Sequence, residues 1–148
     1  MRIDFHVHTN HSIDALIDPV QLVKKSRGTG IIPVITDHNN IDSHKQLKKL
    51  KAQFIPGEEI RTVEGDLSAL YISEPIPRKT PFLEAIDLIK EQGGLSYLPH
   101  PFDITRHAVH DGKLAGKVDI IEIFNARCPY HSYNLAAEDL AKNKKKLA

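Results

Sequence analysis

Short apolar runs of strand length alternate with amphipathic stretches of helix length along this chain, and each apolar run ends in a side chain able to bind a metal. Arg2–Val7 alternates, with Ile3, Phe5 and Val7 on one side and Asp4, His6 and His8 on the other. Ile31–Thr36 reads as a second strand, with Pro33 marking an irregular start, and it leads into Asp37-His38. Gln53–Ile60 is a third and carries Glu58-Glu59; Leu95–Leu98 is followed by Pro99-His100. Val118–Phe124, apolar nearly throughout, predicts a strand buried on both faces that ends at Asn125. Between them lie helices over Val20–Arg27, Ile41–Leu50, Pro81–Gln92 and His131–Lys146. Asp18 and Pro19 open the first of these, and Gly28 and Gly30 close it. Strand and helix in alternation predict an α/β fold built on a parallel sheet. The Glu64-Gly65-Asp66 turn into Leu67–Ile72 breaks the alternation with a hairpin.

The 148 residues suffice for one domain, taken as 1–148, with a hydrophobic core. Twenty basic residues against nineteen acidic give a net charge of +1, which argues against a nucleic-acid or membrane partner on bulk electrostatics. No apolar run approaches the ~20 residues of a membrane helix. The single Cys128 can form no internal disulfide and reads as an inert thiol, which fits a reducing cytoplasm. Lys142 and Lys144–Lys146 suit a solvated helix end. Histidine is the compositional outlier, with nine residues.

In a parallel α/β barrel the C-terminal ends of the strands converge on one face, where active sites of such folds lie. Residues i and i+2 of a strand share a side, so His6 and His8 can bind one metal. His38, Glu59 and His100 stand at equivalent strand ends. Imidazole mixed with carboxylate and no thiolate suits Mn²⁺, Zn²⁺ or Fe²⁺ rather than a structural zinc knot. Two such ions can clamp the attacking and leaving oxygens of a displacement at phosphorus and activate water near neutral pH.

Four of these segments, in order, resemble motifs of the PHP (polymerase and histidinol phosphatase) family: Asp4-Phe5-His6-Val7-His8-Thr9, Ile35-Thr36-Asp37-His38-Asn39, Gly57-Glu58-Glu59-Ile60 and Pro99-His100-Pro101-Phe102-Asp103. Ile120–Arg127 is similar to stand-alone members, and the match covers about residues 1–135. The resemblance implies a distorted (β/α)₇ barrel, two or three divalent metal ions, and hydrolysis of small phosphorylated substrates by metal-activated water. It implies His6, His8, His38, Glu59 and His100 as ligands, with Glu59 bridging. Asp14 matches a family ligand, while Asp14 or Asp18 can equally cap the following helix. Asp37 is placed to orient an imidazole rather than bind metal. Arg106 can hold a phosphate bidentately or lie on the surface, and Asn125 can position substrate or water. His11, His107 and His110 are candidates to line the pocket; His44 is expected on the surface, and the face taken by Glu122 depends on the register of its strand.

The sequence departs from the family in two places. Ser68 stands about where many members have a further histidine. The family's last strand, of Gly-Ser-Asp-Ala-His type, has no counterpart before Ala148, so the barrel is expected to lack that strand and two ligands. A shortened homologue, one piece of a longer protein, and a homo-oligomer whose partner copy covers the open edge all account for this. The alternatives to hydrolysis are a catalytically impaired or regulatory metal-binding module and a nuclease-like domain that processes nucleic acid.

Overall fold

The computed structural model describes residues 1–148. Six strands form one curled sheet in sequence order: β1 (Arg2–Val7), β2 (Ile31–Ile35), β3 (Ile55–Arg61), β4 (Asp66–Leu70), β5 (Leu95–Leu98) and β6 (Ile120–Ile121). The helices are α1 (Pro19–Thr29), α2 (Asp42–Lys49), α3 (Phe82–Glu91), α4 (Gly112–Ala115) and α5 (His131–Lys144). β1, β2 and β3 are parallel neighbours, as are β5 and β6, whereas β4 runs antiparallel to both β3 and β5. The fold is therefore mixed α/β. The first residue of β4 lies at the rim where the other five strands end.

Alternation along the strands separates two sides of the sheet. Ile3, Val34, Ile55, Leu70, Tyr97 and Ile120, one from each strand, pack together on the concave side and floor the site above them. Their neighbours face outward. Ile60, Leu67, Ala69, Leu98 and Ile121 meet α3 through Phe82, Ala85, Ile86 and Ile89. Ile35 and Val7 meet Leu22 and Val23 of α1 and Leu47 of α2. Each fully buried Leu, Ile or Phe contributes about 1.5–3 kcal/mol.

The expected alternation of β1 needs one correction. Its register against β2 shifts between Asp4 and Val7. Ile3 consequently lies inside while Val7 lies outside, and His6 and His8 turn inward. Pro33 sits in β2 opposite Asp4, one residue before β3 begins to pair at Val34, so its missing N–H removes no bond to β3.

α1 begins as its sequence predicts, with the Asp18 carboxylate accepting from Val20 N at 2.8 Å and Pro19 in the first turn. It runs through Gly28 and ends at Gly30, whose φ of 66° makes the left-handed cap. Gly57 is required for a different reason: a Cβ there would lie 2.6 Å from Ala69 O and 3.0 Å from Ile35 O, between two fixed strands.

Two expectations are overturned. The strand expected over Val118–Phe124 is only Ile120–Ile121; the chain then leaves the sheet, Glu122 turns into the site and Phe124 is 67% exposed. β6 has β5 on one side, and on the other only an isolated bridge to Leu147, whose carbonyl accepts from Ile121 N at 3.0 Å. Nothing further holds Ile123 and Phe124 extended. His44 is buried, because Ser43, His44 and Leu47 form the inward stripe of α2 and the lysines take the other faces. Its ring lies against Phe54 with centroids 5.5 Å apart. Burial, only partly offset by the charge of Asp37, holds its pKa below the ordinary value.

Glu58 faces away from the site and is fully buried, with Oε2 accepting from Ile76 N at 2.8 Å and Oε1 unpartnered. Burial pushes its pKa up from 4.5 to about 7, against the bond from Ile76. The folded chain thus favours the protonated acid. This contribution is complete below pH 4.5 and is lost as pH rises through about 7. Glu58→Gln is expected to match the wild type in stability at pH 5 and to exceed it by about 3 kcal/mol at pH 8. Denaturant melts at the two pH values check this.

Candidate metal centre

The site lies at the rim where β1, β2, β3, β5 and β6 end, in a cleft of about 600 Å³. His6 and His8 come from the end of β1, His38 from the turn after β2 and Glu59 from β3. Asp66 opens β4, and His100 and Glu122 follow β5 and β6. Three sets of three side chains bring ligand atoms within 4.8 Å of one another: His6, His8 and Glu59; His8, Asp14 and His38; and Glu59, Asp66 and His100. Glu59 joins two of these sets and reaches the third through His38 Nδ1, 3.5 Å from its Oε2.

The closest contacts have the form of a ligand shell. His6 Nε2 and His8 Nε2 are 2.9 Å apart, and each is 3.1 Å from Glu59 Oε2. Two neutral imidazole nitrogens facing each other at that distance share at most one proton. In a tetrahedral site with bonds of ~2.0–2.1 Å, ligand atoms stand ~3.3 Å apart. The other ring nitrogens are fixed from behind, as metal-binding histidines require. His6 Nδ1 is 3.1 Å from Glu122 Oε1, and His8 Nδ1 is 3.1 Å from Ser12 Oγ. His100 Nε2 is 2.9 Å from Glu59 Oε1, and its Nδ1 is buried without a partner. The donor set therefore fits a divalent cation.

Glu122 does more than orient His6. It also accepts from the backbone N of His100 and from Asn125 Nδ2. His100 has a φ of 33°, a conformation that costs a non-glycine residue about 1–3 kcal/mol. The Glu122 carboxylate holds that turn and so positions the His100 imidazole.

The electrostatics agree with this arrangement. Burial disfavours a charged His6, but hydrogen bonds to Glu122 and Glu59 outweigh it and raise its pKa to about 10. Burial would lift Glu59, yet the bonds from His100, His6 and His8 hold it well below the usual carboxylate range. Glu122 is likewise held down against burial, chiefly by its bond with His6. Asp66 moves the other way, raised by burial and by the charge of Glu59.

Of the residues singled out in the sequence, His6, His8, Asp14, His38, Glu59, His100, Arg106 and Asn125 all line the cleft. Asp18 is the helix cap, which leaves Asp14 to approach His8 Nδ1 at 3.4 Å and His38 Nε2 at 3.8 Å. Arg106 is held by Asp103 at 3.2 Å. His107 lines the cleft; His11 and His110 are exposed outside it.

Asp37 is not placed as expected. Its buried carboxylate orients no imidazole and does not line the cleft. It accepts from Thr9 N at 2.6 Å, Thr9 Oγ1 at 2.8 Å and Ser43 Oγ at 2.6 Å. Asp37 therefore ties the turn after β1 to α2. Asp66, by contrast, was invisible in a pattern of strand ends, because β4 enters the rim with its first residue. Its register partner Arg61 also lines the cleft.

No family model matches the chain. It is 37% identical over 149 residues to the uncharacterized protein MJ0417 of Methanocaldococcus jannaschii, an alignment that covers 96% of this chain and 60% of that protein. The chain thus spans about three-fifths of the length of that relative. A second uncharacterized protein of the same organism, MJ1587, is 35% identical over 159 residues, covering 97% of this chain and 91% of the relative. With the identity spread over nearly the whole of both sequences, the chain belongs to the family of the archaeal protein MJ1587.

Proposed function

We propose that the protein is a metal-dependent phosphoesterase with a PHP-type barrel, acting on small phosphorylated substrates. The observation that carries this reading is the convergence on Glu59, whose two oxygens lie 2.9–3.5 Å from nitrogens of four histidines. A carboxylate so placed suits a bridge between two divalent ions. Bound ions of this kind supply a water of lowered pKa and offset charge on phosphoryl oxygens.

The chain's own residues supply the rest. Arg61, Arg106, Arg127 and His107 stand around the cleft as cationic or hydrogen-bonding groups for phosphoryl oxygens. Asp103 fixes Arg106, and Asp14 approaches Arg127 at 3.5 Å. Asn125, through its bond to Glu122, sets the carboxylate that orients His6. Only Ile13, Phe124 and Ala126 among the lining residues are hydrophobic, which suits a charged group over an apolar one.

The test is hydrolysis of p-nitrophenyl phosphate and its bis-ester by the purified chain with Mn²⁺, Zn²⁺ or Fe²⁺. Hydrolysis is expected to vanish on chelation, return with metal, and fall at least about 100-fold in His100→Ala. No turnover of either ester with any of the three metals would contradict the proposal.

A further inference from the structure

We propose that Asp66 makes the Glu59–Asp66–His100 corner of the centre a carboxylate-rich subsite that takes a harder divalent cation, Mn²⁺ or Mg²⁺, than the imidazole-rich His6–His8–Glu59 corner. The proposal rests on the metal-centre reading above and specifies which ion each corner selects.

The two corners share Glu59 and differ in their other donors: two imidazoles in one, a carboxylate and an imidazole in the other. Imidazole suits zinc and iron, whereas carboxylate and water suit magnesium and manganese. Asp66 is 5% exposed and built into place. Its backbone N donates to His107 O at 2.6 Å, and its Oδ1 is 3.3 Å from His107 Nδ1. This is the backing that orients a ligating carboxylate. Arg61 lies directly across the ladder from Asp66 yet forms no ion pair with it. The acidic charge of Asp66 therefore stands beside that of Glu59 without an arginine or lysine to balance it.

Ser68 adds a small oxygen donor on the same face. It is the register partner of Glu59, so the two side chains share the concave face. Its buried Oγ has no hydrogen-bond partner. An unpartnered hydroxyl is an oxygen donor of the kind that hard cations take. Asp66, two residues earlier on the same face, brings the third protein ligand.

The test uses chain stripped of metal, loaded with one equivalent of Zn²⁺ and titrated with Mn²⁺, bound manganese being read from loss of the free-ion electron paramagnetic resonance signal. The wild type is expected to bind about one Mn²⁺ per chain that depends on Asp66. Asp66→Asn should weaken that binding at least about tenfold while the zinc equivalent stays bound, which also shows that the variant is folded. Asp66→His should restore a strong site but reverse its choice, so that a second Zn²⁺ displaces Mn²⁺ at a concentration at least about tenfold below that needed in the wild type. Manganese binding unchanged in both variants, or absent from the zinc-loaded wild type, overturns the proposal and leaves the phosphoesterase reading standing. A chain that takes up neither ion overturns both.

Discussion

Glu59→Ala is expected to strip the protein of tightly bound divalent metal and to lower phosphoester hydrolysis at least about 1,000-fold, equivalent to about 4 kcal/mol of lost transition-state stabilisation. Glu59 is 1% exposed and accepts from, or lies against, His6, His8, His38 and His100. No neighbour can replace it, because Asp66 and Asp14 each reach only one corner of the cluster. Glu59→Gln should fail almost as badly: it keeps the shape but removes the charge, and an amide bridges two cations poorly. Elemental analysis of the purified variants, followed by turnover with added metal, checks both statements. Full metal content in Glu59→Ala would show that the convergence on this residue is packing rather than coordination.

Asp37→Ala is expected to act on stability. Three hydrogen bonds end on its buried carboxylate, and the substitution strands Thr9 N and Ser43 Oγ in the interior. The cost is about 4 kcal/mol, or a fall in Tm of about 12 °C for a chain of this size. A direct role for Asp37 in chemistry predicts the opposite pattern, with Tm held and turnover lost. Thermal melts of the metal-free protein separate the two, since bound metal then contributes to neither value.

The convergence of the strand-end side chains on one cleft is legible in the sequence, for a physical reason. Side chains at the ends of parallel strands must meet at one rim, so His6, His8, His38, Glu59 and His100 are brought together by topology before any distance is known. The motif order fixes which strands those are. What stays hidden depends on local departures from that regularity. Asp66 belongs to the one antiparallel strand, and its position becomes visible only once Arg61 and Asp66 are paired across the hairpin. Glu122 lies just past a strand that holds only Ile120 and Ile121, so a two-residue alternation over Val118–Phe124 does not extend to it. Asp37 shows the reverse error. Its neighbour His38 is at the site, but Asp37 points to the other side and closes the β1 and α2 turns. His44 misled because the lysines around it dominate the composition of α2, while the stripe of Ser43, His44 and Leu47 decides which face is buried.

The sheet departs from a uniformly parallel one in the same region. Three parallel strands, one reversed strand and two further parallel strands still deliver polar groups to one mouth, because β4 reverses direction rather than leaving the sheet. No helix is long and apolar enough to cross a membrane.

The most direct test of the metal centre is the number of divalent ions held per chain, measured by elemental analysis after exposure to Zn²⁺ and Mn²⁺ and removal of excess, with anomalous scattering to place them. The account predicts at least two ions, both within bonding distance of Glu59, with His6 and His8 on one and His100 on the other. A folded chain that holds no ion, or holds ions only away from Glu59, would contradict it.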